Sequence, residues 1–254
     1  MKASTGDDLL KARVPSGAPA VMYQSWQNLL FLHWKCEPEV IQELLPAGLE
    51  VDTYEGDAYI GLVPFFMCGV RGRFLPPFPG TANFLEMNVR TYVRDTENKA
   101  HPGVWFFSLD ANCRPAVWAA QTFFHLPYFN AKMSARISED GWIDYRCQRR
   151  EVGAPDAKFR YRPHPEAKPQ EAEPGTLEFF LLERYWLYAH NQKRNRLLKG
   201  QVKHTPYRYG EAQVETLDQR PIAISPQLQE LGAPDHICAA EDVSVSILGF
   251  PSRV

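Results

Sequence analysis

The chain lacks any cysteine pair spaced for chemistry. Its five cysteines (Cys36, Cys68, Cys113, Cys147 and Cys238) are odd in number and scattered, with no C-x-x-C. Such a set suits free thiols in a reducing compartment and argues against a disulfide frame or a cysteine zinc site. A long apolar run is also missing: Tyr59–Val70, about a dozen residues, is broken by Pro64, whereas about 20 residues span a bilayer. The N-terminal MKASTGDDLLKARV carries acids where a secretory signal needs a basic and then an apolar stretch. Charge is balanced, with 28 Lys+Arg against 30 Asp+Glu and a net charge of −2. Nothing global therefore draws the chain to nucleic acid or anionic lipid. A cytoplasmic protein with neither nucleic-acid nor membrane partners is expected. H-E-x-x-H, G-x-S-x-G, G-x-G-x-x-G and the P-loop are all absent, which lowers the zinc-peptidase, hydrolase and nucleotide classes. No metal and no cofactor is expected.

Turn formers are abundant, with 21 prolines and 16 glycines, which favours many short elements and a β-rich fold. The 254 residues, 44% hydrophobic, can bury one large core or two small ones. Residues 1–20 read as a loose leader and 21–254 as a single domain. Ser25–Lys35 predicts a strand, and Pro38 opens a short helix that Pro46-Ala47-Gly48 stops. Leu49–Tyr54 and Asp57–Met67 read as a hairpin, residues 71–83 as an ordered loop, and Phe84–Val93 and Gly103–Leu109 as strands. An apolar helix precedes Pro127, and Asn130–Ser138 pairs with Trp142–Gln148 around Glu139-Asp140-Gly141. The five prolines and many charges of 151–175 read as a surface excursion. Leu177–Glu183, Tyr185–Asn191, Gln201–Tyr209 and Asp242–Phe250 complete the set as strands. This spacing fits α+β with β dominant: a closed or nearly closed antiparallel sheet with a few packed helices.

Phe84–Val93 alternates cleanly. Leu85, Met87, Val89, Thr91 and Val93 share one face; Glu86, Asn88 and Arg90 share the other. The polar row either faces water or lines a barrel lumen, where an enclosed Glu86 would have a shifted pKa. A second cluster runs from Arg184 to Arg208, with seven Lys/Arg and no acid. It is either a solvated face or a source of positive potential beside a pocket for a carboxylate or phosphate. His33, His125 and His204 sit in apolar settings, where a hydrogen-bonded core histidine is commoner than a ligand.

The segment Val117–Met133, VWAAQTFFHLPYFNAKM, resembles the acetoacetate decarboxylase pattern G-R-E-x-x-G-x-P-K-K, whose first lysine forms a Schiff base. Aligned on Pro127, the two lysines become Tyr128 and Phe129, and Arg-Glu becomes Gln121-Thr122. Lys132 is the nearby amine that could take over. Gly61-Leu62-Val63-Pro64-Phe65, Asn88-Val89-Arg90-Thr91-Tyr92-Val93, Pro102–Asp110, Phe124-His125-Leu126-Pro127-Tyr128, Glu183-Arg184-Tyr185 and Val202-Lys203-His204 together resemble the YqjF-like family, domain of unknown function 2071. That family is similar in fold to acetoacetate decarboxylase, which implies a cone-like antiparallel barrel with an enclosed pocket. It also implies that a glutamate-bearing strand faces the cavity, and Glu86 matches by order along the chain.

The resulting expectation is a pocket for a small anionic organic molecule. If the protein is an enzyme, Glu86 and Tyr128 are the catalytic candidates for acid–base chemistry beside a carbonyl. Asn88, Arg90, His125, Arg184, Tyr185 and His204 are the ligand-binding candidates. The rivals are a binding or sensing module without turnover, and a scaffold whose polar faces meet solvent. Self-association is left open.

Overall fold

Thr5 accepts a hydrogen bond from the Asp8 amide while the Asp8 carboxylate accepts one from the Thr5 amide. This capping box starts helix α1 (Gly6–Ala12). The computed structural model describes residues 3–97, 101–151, 153, 154 and 156–254. Within it the expected loose leader is partly a helix, with Leu9 and Ala12 buried. The sequence reading missed it because seven residues make too short a periodic pattern.

The remaining elements, in chain order, begin with β1 (Ala20–Gln27), β2 (Leu29–Cys36), α2 (Pro38–Gln42), β3 (Leu49–Val51) and β4 (Ala58–Gly72). Next come β5 (Phe84–Asp95), β6 (Gly103–Ala111), α3 (Arg114–Ala119) with a π-helical turn (Ala120–Phe124), β7 (Tyr128–Ile137) and β8 (Ile143–Arg149). After them lie β9 (Asp156–Pro163), β10 (Gln170–Glu171), α4 (Leu177–Leu182), β11 (Trp186–Asn191) and β12 (Arg196–Lys203). The chain ends with β13 (Arg208–Gly210), β14 (Ala212–Thr216), β15 (His236–Ala240) and β16 (Val243–Arg253).

Strands hold 49% of the structure and helices 15%, and seven strands close into a barrel. Around the ring the order is β1, β4, β5, β6, β11, β12, β16 and back to β1. Every contact in the ring is antiparallel except β6 with β11, where Trp186 pairs with Gly103 in parallel register. A second sheet, β7–β8–β9–β14, hangs from the end of β6 through Leu109 opposite Tyr128. A wing of β2, β15, β13 and β10 extends from the first half of β4. Asn28 makes the fork: with φ 52°, it is the extra residue between Gln27, opposite Phe66, and Leu32, opposite Leu62. An asparagine tolerates that left-handed backbone better than a β-branched residue would.

Several expectations are corrected. Residues 151–175, of which Val152 and Pro155 lie outside the described residues, are not a bare surface excursion. They contain β9, whose Ala157, Phe159 and Tyr161 are buried against β8 and the outer face of β5. Leu49–Tyr54 does not pair with Asp57–Met67: β3 pairs with β5, and a single bridge joins Tyr54 to Asp57. Leu177–Glu183 is helical over Leu177–Leu182 because Thr176 caps it, accepting from the Phe179 amide. Among the described residues, no helix is long and apolar enough to cross a membrane.

Gly103 shows how tight the closure is. A Cβ there would lie 2.4 Å from the Trp186 carbonyl oxygen, a backbone atom that cannot rotate away. Gly103→Ala should therefore destabilise by about 2–3 kcal/mol or more. Gly200→Ala, where a Cβ would meet nothing nearer than Pro251 at 4.0 Å, should be neutral or mildly stabilising. Urea unfolding midpoints of the two variants check this; equal midpoints would show that the β6–β11 contact has slack.

Candidate functional site

Both faces of β5 are buried, so its alternation separates two interiors and not a core from water. Leu85, Met87 and Val89 pack outward under Tyr145, Phe159 and Tyr161 of the second sheet. Glu86, Asn88 and Arg90 point into the barrel and line a cavity of about 390 Å³. The rest of the wall is mostly apolar, with Val63, Phe65 and Met67 of β4, Val104 and Phe106 of β6, and Leu187, Val202 and Ile247 beyond. One end is stopped by α4, whose buried Leu182 lines the cavity beside Arg184. The other end is framed by the 72–81 loop and α3, where Leu75 and Phe78 line the cavity yet are 67% and 70% exposed. The loop expected at 71–83 thus forms the rim of the mouth.

Glu86 is 2% exposed, and the Tyr128 hydroxyl donates to its Oε2 at 2.7 Å. Burial pushes the Glu86 carboxyl from its ordinary 4.5 up to about 8, against the pull of the Tyr128 bond and with a smaller push from Asp110. Glu86 is therefore mostly a neutral acid at pH 7. Burial and the adjacent Glu86 raise the Tyr128 phenol well above its usual range. Local backbone aims the tyrosine: the π-helical turn ends at His125 in the left-handed region (φ 54°), and Gln121 Nε2 donates to the Tyr128 carbonyl at 2.7 Å. Beneath the pair, Tyr145 donates to the Glu86 carbonyl at 2.8 Å.

The two arginines differ in what they face. Arg184 is 4% exposed and tied down: Nη1 donates to Asp52 at 2.7 Å, Nε donates to the Phe180 carbonyl at 2.7 Å, and the guanidinium lies over the Phe180 and Tyr92 rings. Its Nη2 is left without a partner. Burial lowers its pKa, and Asp52 works against that. Arg90 donates to the Tyr92 hydroxyl and to the Leu181 carbonyl, both at 3.4 Å. Its Nε is unpartnered, and among the described residues no carboxylate pairs with it. Gly61, opposite Arg90 on β4, leaves room for it; a Cβ there would lie 3.1 Å from His33 and 3.4 Å from Arg90 Cγ.

Of the expected site residues, Glu86, Tyr128, Asn88, Arg90 and Arg184 line one cavity. His125, Tyr185 and His204 do not. His125 sits 3.2 Å from the Asn191 side-chain nitrogen. Tyr185 bonds Glu183 and stacks on His204 at 4.5 Å, just behind the wall residues Trp26 and Tyr207. Burial takes the His204 pKa down to about 4. The basic run through Arg208 is solvated apart from Arg184 and Lys199: Lys193, Arg194, Arg196, Lys203 and Arg208 are exposed, while Lys199 lies over the Trp186 ring and 3.9 Å from Asp95. Lys132 is exposed as well, because β7 leaves the barrel after its first residues. Trp26, Gln24 and Tyr207 were missed as wall residues. The alternation of Met22, Gln24 and Trp26 signals the first two, but the strand was read as starting at Ser25.

The raised Glu86 pKa has a stability consequence. From about pH 4.5 to 8 the folded protein keeps a proton that the unfolded chain has released, so this group's contribution falls as pH rises across that window. Glu86→Gln keeps an acceptor for Tyr128 and removes the titration. The variant should match the wild type near about pH 4 and exceed it by a few kcal/mol near about pH 9. Urea unfolding across that range checks it, and parallel profiles would place the Glu86 pKa near its ordinary value.

Comparison with known proteins agrees with this architecture. The model of the DUF2071 family, described as an uncharacterized conserved protein, matches residues 23–244. The uncharacterized protein YqjF of Bacillus subtilis (strain 168) is 41% identical over 202 residues, 80% of this chain and 80% of that protein. Among solved structures, acetoacetate decarboxylase from Legionella pneumophila has a TM-score of 0.62 at 16% identity, covering 100% of this chain and 98% of that one. An acetoacetate decarboxylase-like enzyme from Sphingomonas wittichii RW1 has a TM-score of 0.61 at 14% identity, over 93% and 94%. The enduracididine biosynthesis enzyme MppR, complexed with pyruvate, has a TM-score of 0.60 at 13% identity, over 93% and 90%. At such identities the likeness is one of fold. With the family model spanning most of its length, the chain belongs to the DUF2071 family and has an acetoacetate decarboxylase-like fold.

Proposed function

We propose that the barrel binds a carboxylate-bearing carbonyl compound and that Glu86, assisted by Tyr128, exchanges a proton with it without an imine intermediate. The observation that carries this reading is Arg90: a cation on the cavity wall, over the Phe31 and Tyr92 rings, with, among the described residues, no carboxylate of its own. A cation in an apolar cavity is stabilised most by an anion that arrives there. A mostly protonated Glu86 can donate to a carbonyl oxygen as charge develops on it and take the proton back afterwards. Fold neighbours include a protein complexed with pyruvate, which supports a keto-acid class. A binding or sensing role without turnover rests on the same cavity. It is favoured by the Tyr128 bond, which already occupies one Glu86 oxygen.

Imine chemistry needs an amine of lowered pKa in the pocket. No lysine is among the described residues lining the cavity, and Lys132 is exposed. Borohydride reduction in the presence of pyruvate or acetoacetate should leave the protein mass unchanged; an adduct on any lysine would restore the Schiff-base route.

The anion claim is tested by calorimetry with matched acids and amides. A buried charge-assisted contact is worth about 1.5–3 kcal/mol, roughly 10- to 150-fold in affinity. Acids should exceed amides by that factor, and Arg90→Met should reduce the difference severalfold. Arg90 is the cleaner target, since removing Arg184 would leave Asp52, which is 0% exposed on its side chain, with Arg94 as its remaining cation. Equal affinities for acid and amide in the wild type would defeat the reading. A keto-acid turnover panel then separates enzyme from binding module.

A further inference from the structure

We infer that the ligand is an extended amphipathic acid, bound with its carboxylate at the closed end by Arg90 and Arg184, its polar reacting group in mid-chain at Glu86, and an apolar tail towards the mouth. This rests on the reading above that Arg90 anchors a carboxylate, and adds the length and orientation of the molecule.

The spacing of the polar stations carries it. Glu86 and Arg90 are four residues apart on one strand, whose pairing with β6 shifts register between Val89 and Arg90, so their Cα atoms are up to about 13 Å apart at roughly 3.3 Å per residue. Arg90 leans further away, because its Nη2 is directed to Tyr92 and to the Leu181 carbonyl of α4. Side chains stand roughly perpendicular to the sheet, so their polar ends keep about that spacing along the barrel; with a hydrogen bond of about 3 Å at either end, some 7 Å of ligand separates its carboxylate from the atom facing Glu86. That is about five or six carbon–carbon bonds, zigzagged at 1.52 Å each. A two-carbon keto-acid spacing cannot touch both stations.

Volume and wall chemistry agree. A cavity of about 390 Å³ is large beside the roughly 10–15 Å³ that one enclosed water needs, so the six or seven non-hydrogen atoms of pyruvate or acetoacetate leave most of it unfilled. Beyond Glu86 the wall towards the mouth is apolar: Met22, Val70, Leu75, Phe78, Phe84 and Ala119. Apart from Gln24, Arg71 and Thr81, that limb is apolar, which suits a hydrocarbon tail more than a hydrated group.

The experiment is calorimetry of the full chain with straight-chain carboxylates from acetate to dodecanoate, each beside its primary amide, on the wild type and on Ala119→Trp. Ala119 sits on α3 by the mouth, and an indole there should shorten the apolar limb. The expected result is an affinity that rises about fourfold per CH₂ (about 0.8 kcal/mol) to at least octanoate, with acids above amides. Ala119→Trp should lower dodecanoate affinity at least tenfold. Acids that exceed amides with no dependence on chain length would overturn the inference and leave the anionic site standing. A chain-length dependence identical for acids and amides would overturn the anionic reading as well. Long-chain binding that Ala119→Trp does not alter would show that the acids bind outside the barrel, and would overturn the inference too.

Discussion

Closure of the sheet on itself, through the parallel contact of β6 with β11, is the constraint on which everything else depends. It is an unusual pairing in an otherwise antiparallel ring, and it works because Gly103 brings no side chain against the Trp186 carbonyl. Once the ring is closed, alternate side chains of its strands face one lumen, and those deep in it, such as Glu86, are shielded from water. The same seam puts Arg184, two residues before Trp186, at the stopped end of the lumen. A barrel left open there would let water reach Glu86, and its pKa would fall towards that of an ordinary carboxylate.

Sealing charges in such a space must be offset, and the chain does this unevenly. Asp52 is met by Arg184 and, at 3.7 Å, by Arg94; Asp110, whose pKa burial raises, is met by Arg149 at 2.6 Å. Those pairs hold the loops and the second sheet onto the barrel. Glu86 avoids the penalty by keeping its proton. Arg90 has neutral partners, and a chain of contacts runs behind it from Tyr92 to His33 at 2.8 Å and on to His236 at 3.0 Å. Burial, His236 and Arg90 hold His33 well below its ordinary pKa, so this chain supplies no second cation. Among the described residues, Arg90 therefore faces the cavity without a carboxylate partner at the far end from the mouth, while Arg71, exposed, does so at the mouth.

Much of this was legible in the sequence, and where it was not the reasons are physical. The period-two row Glu86, Asn88, Arg90 marked a strand with a distinct polar face, and Pro127-Tyr128 marked the segment that reaches it. What one strand cannot reveal is whether its polar face meets water or a lumen, since that depends on residues paired long after it. His204 and Tyr185 misled because buried polar residues behind a wall look, in sequence, like residues on it. The basic run misled because, apart from Arg184 and Lys199, its side chains lie on the turn between β11 and β12 or on exposed positions of β12 and β13, where they face solvent. β9 was lost among prolines and charges, although Ala157, Phe159 and Tyr161 alternate correctly. Family resemblance supplied the barrel, and the chemistry at Tyr128 was the point at which resemblance stopped.

The central claim is that the closed end of the barrel receives a carboxylate while the mouth receives hydrocarbon. A crystal structure with 8-bromooctanoate tests this most directly, since anomalous scattering locates the bromine independently of the rest of the ligand. The expected result is bromine among Leu75, Phe78 and Phe84, with the carboxylate in hydrogen-bonding reach of Arg90 and Arg184. Bromine at the closed end with the carboxylate beside Arg71, or no bromine inside the barrel, would contradict the account.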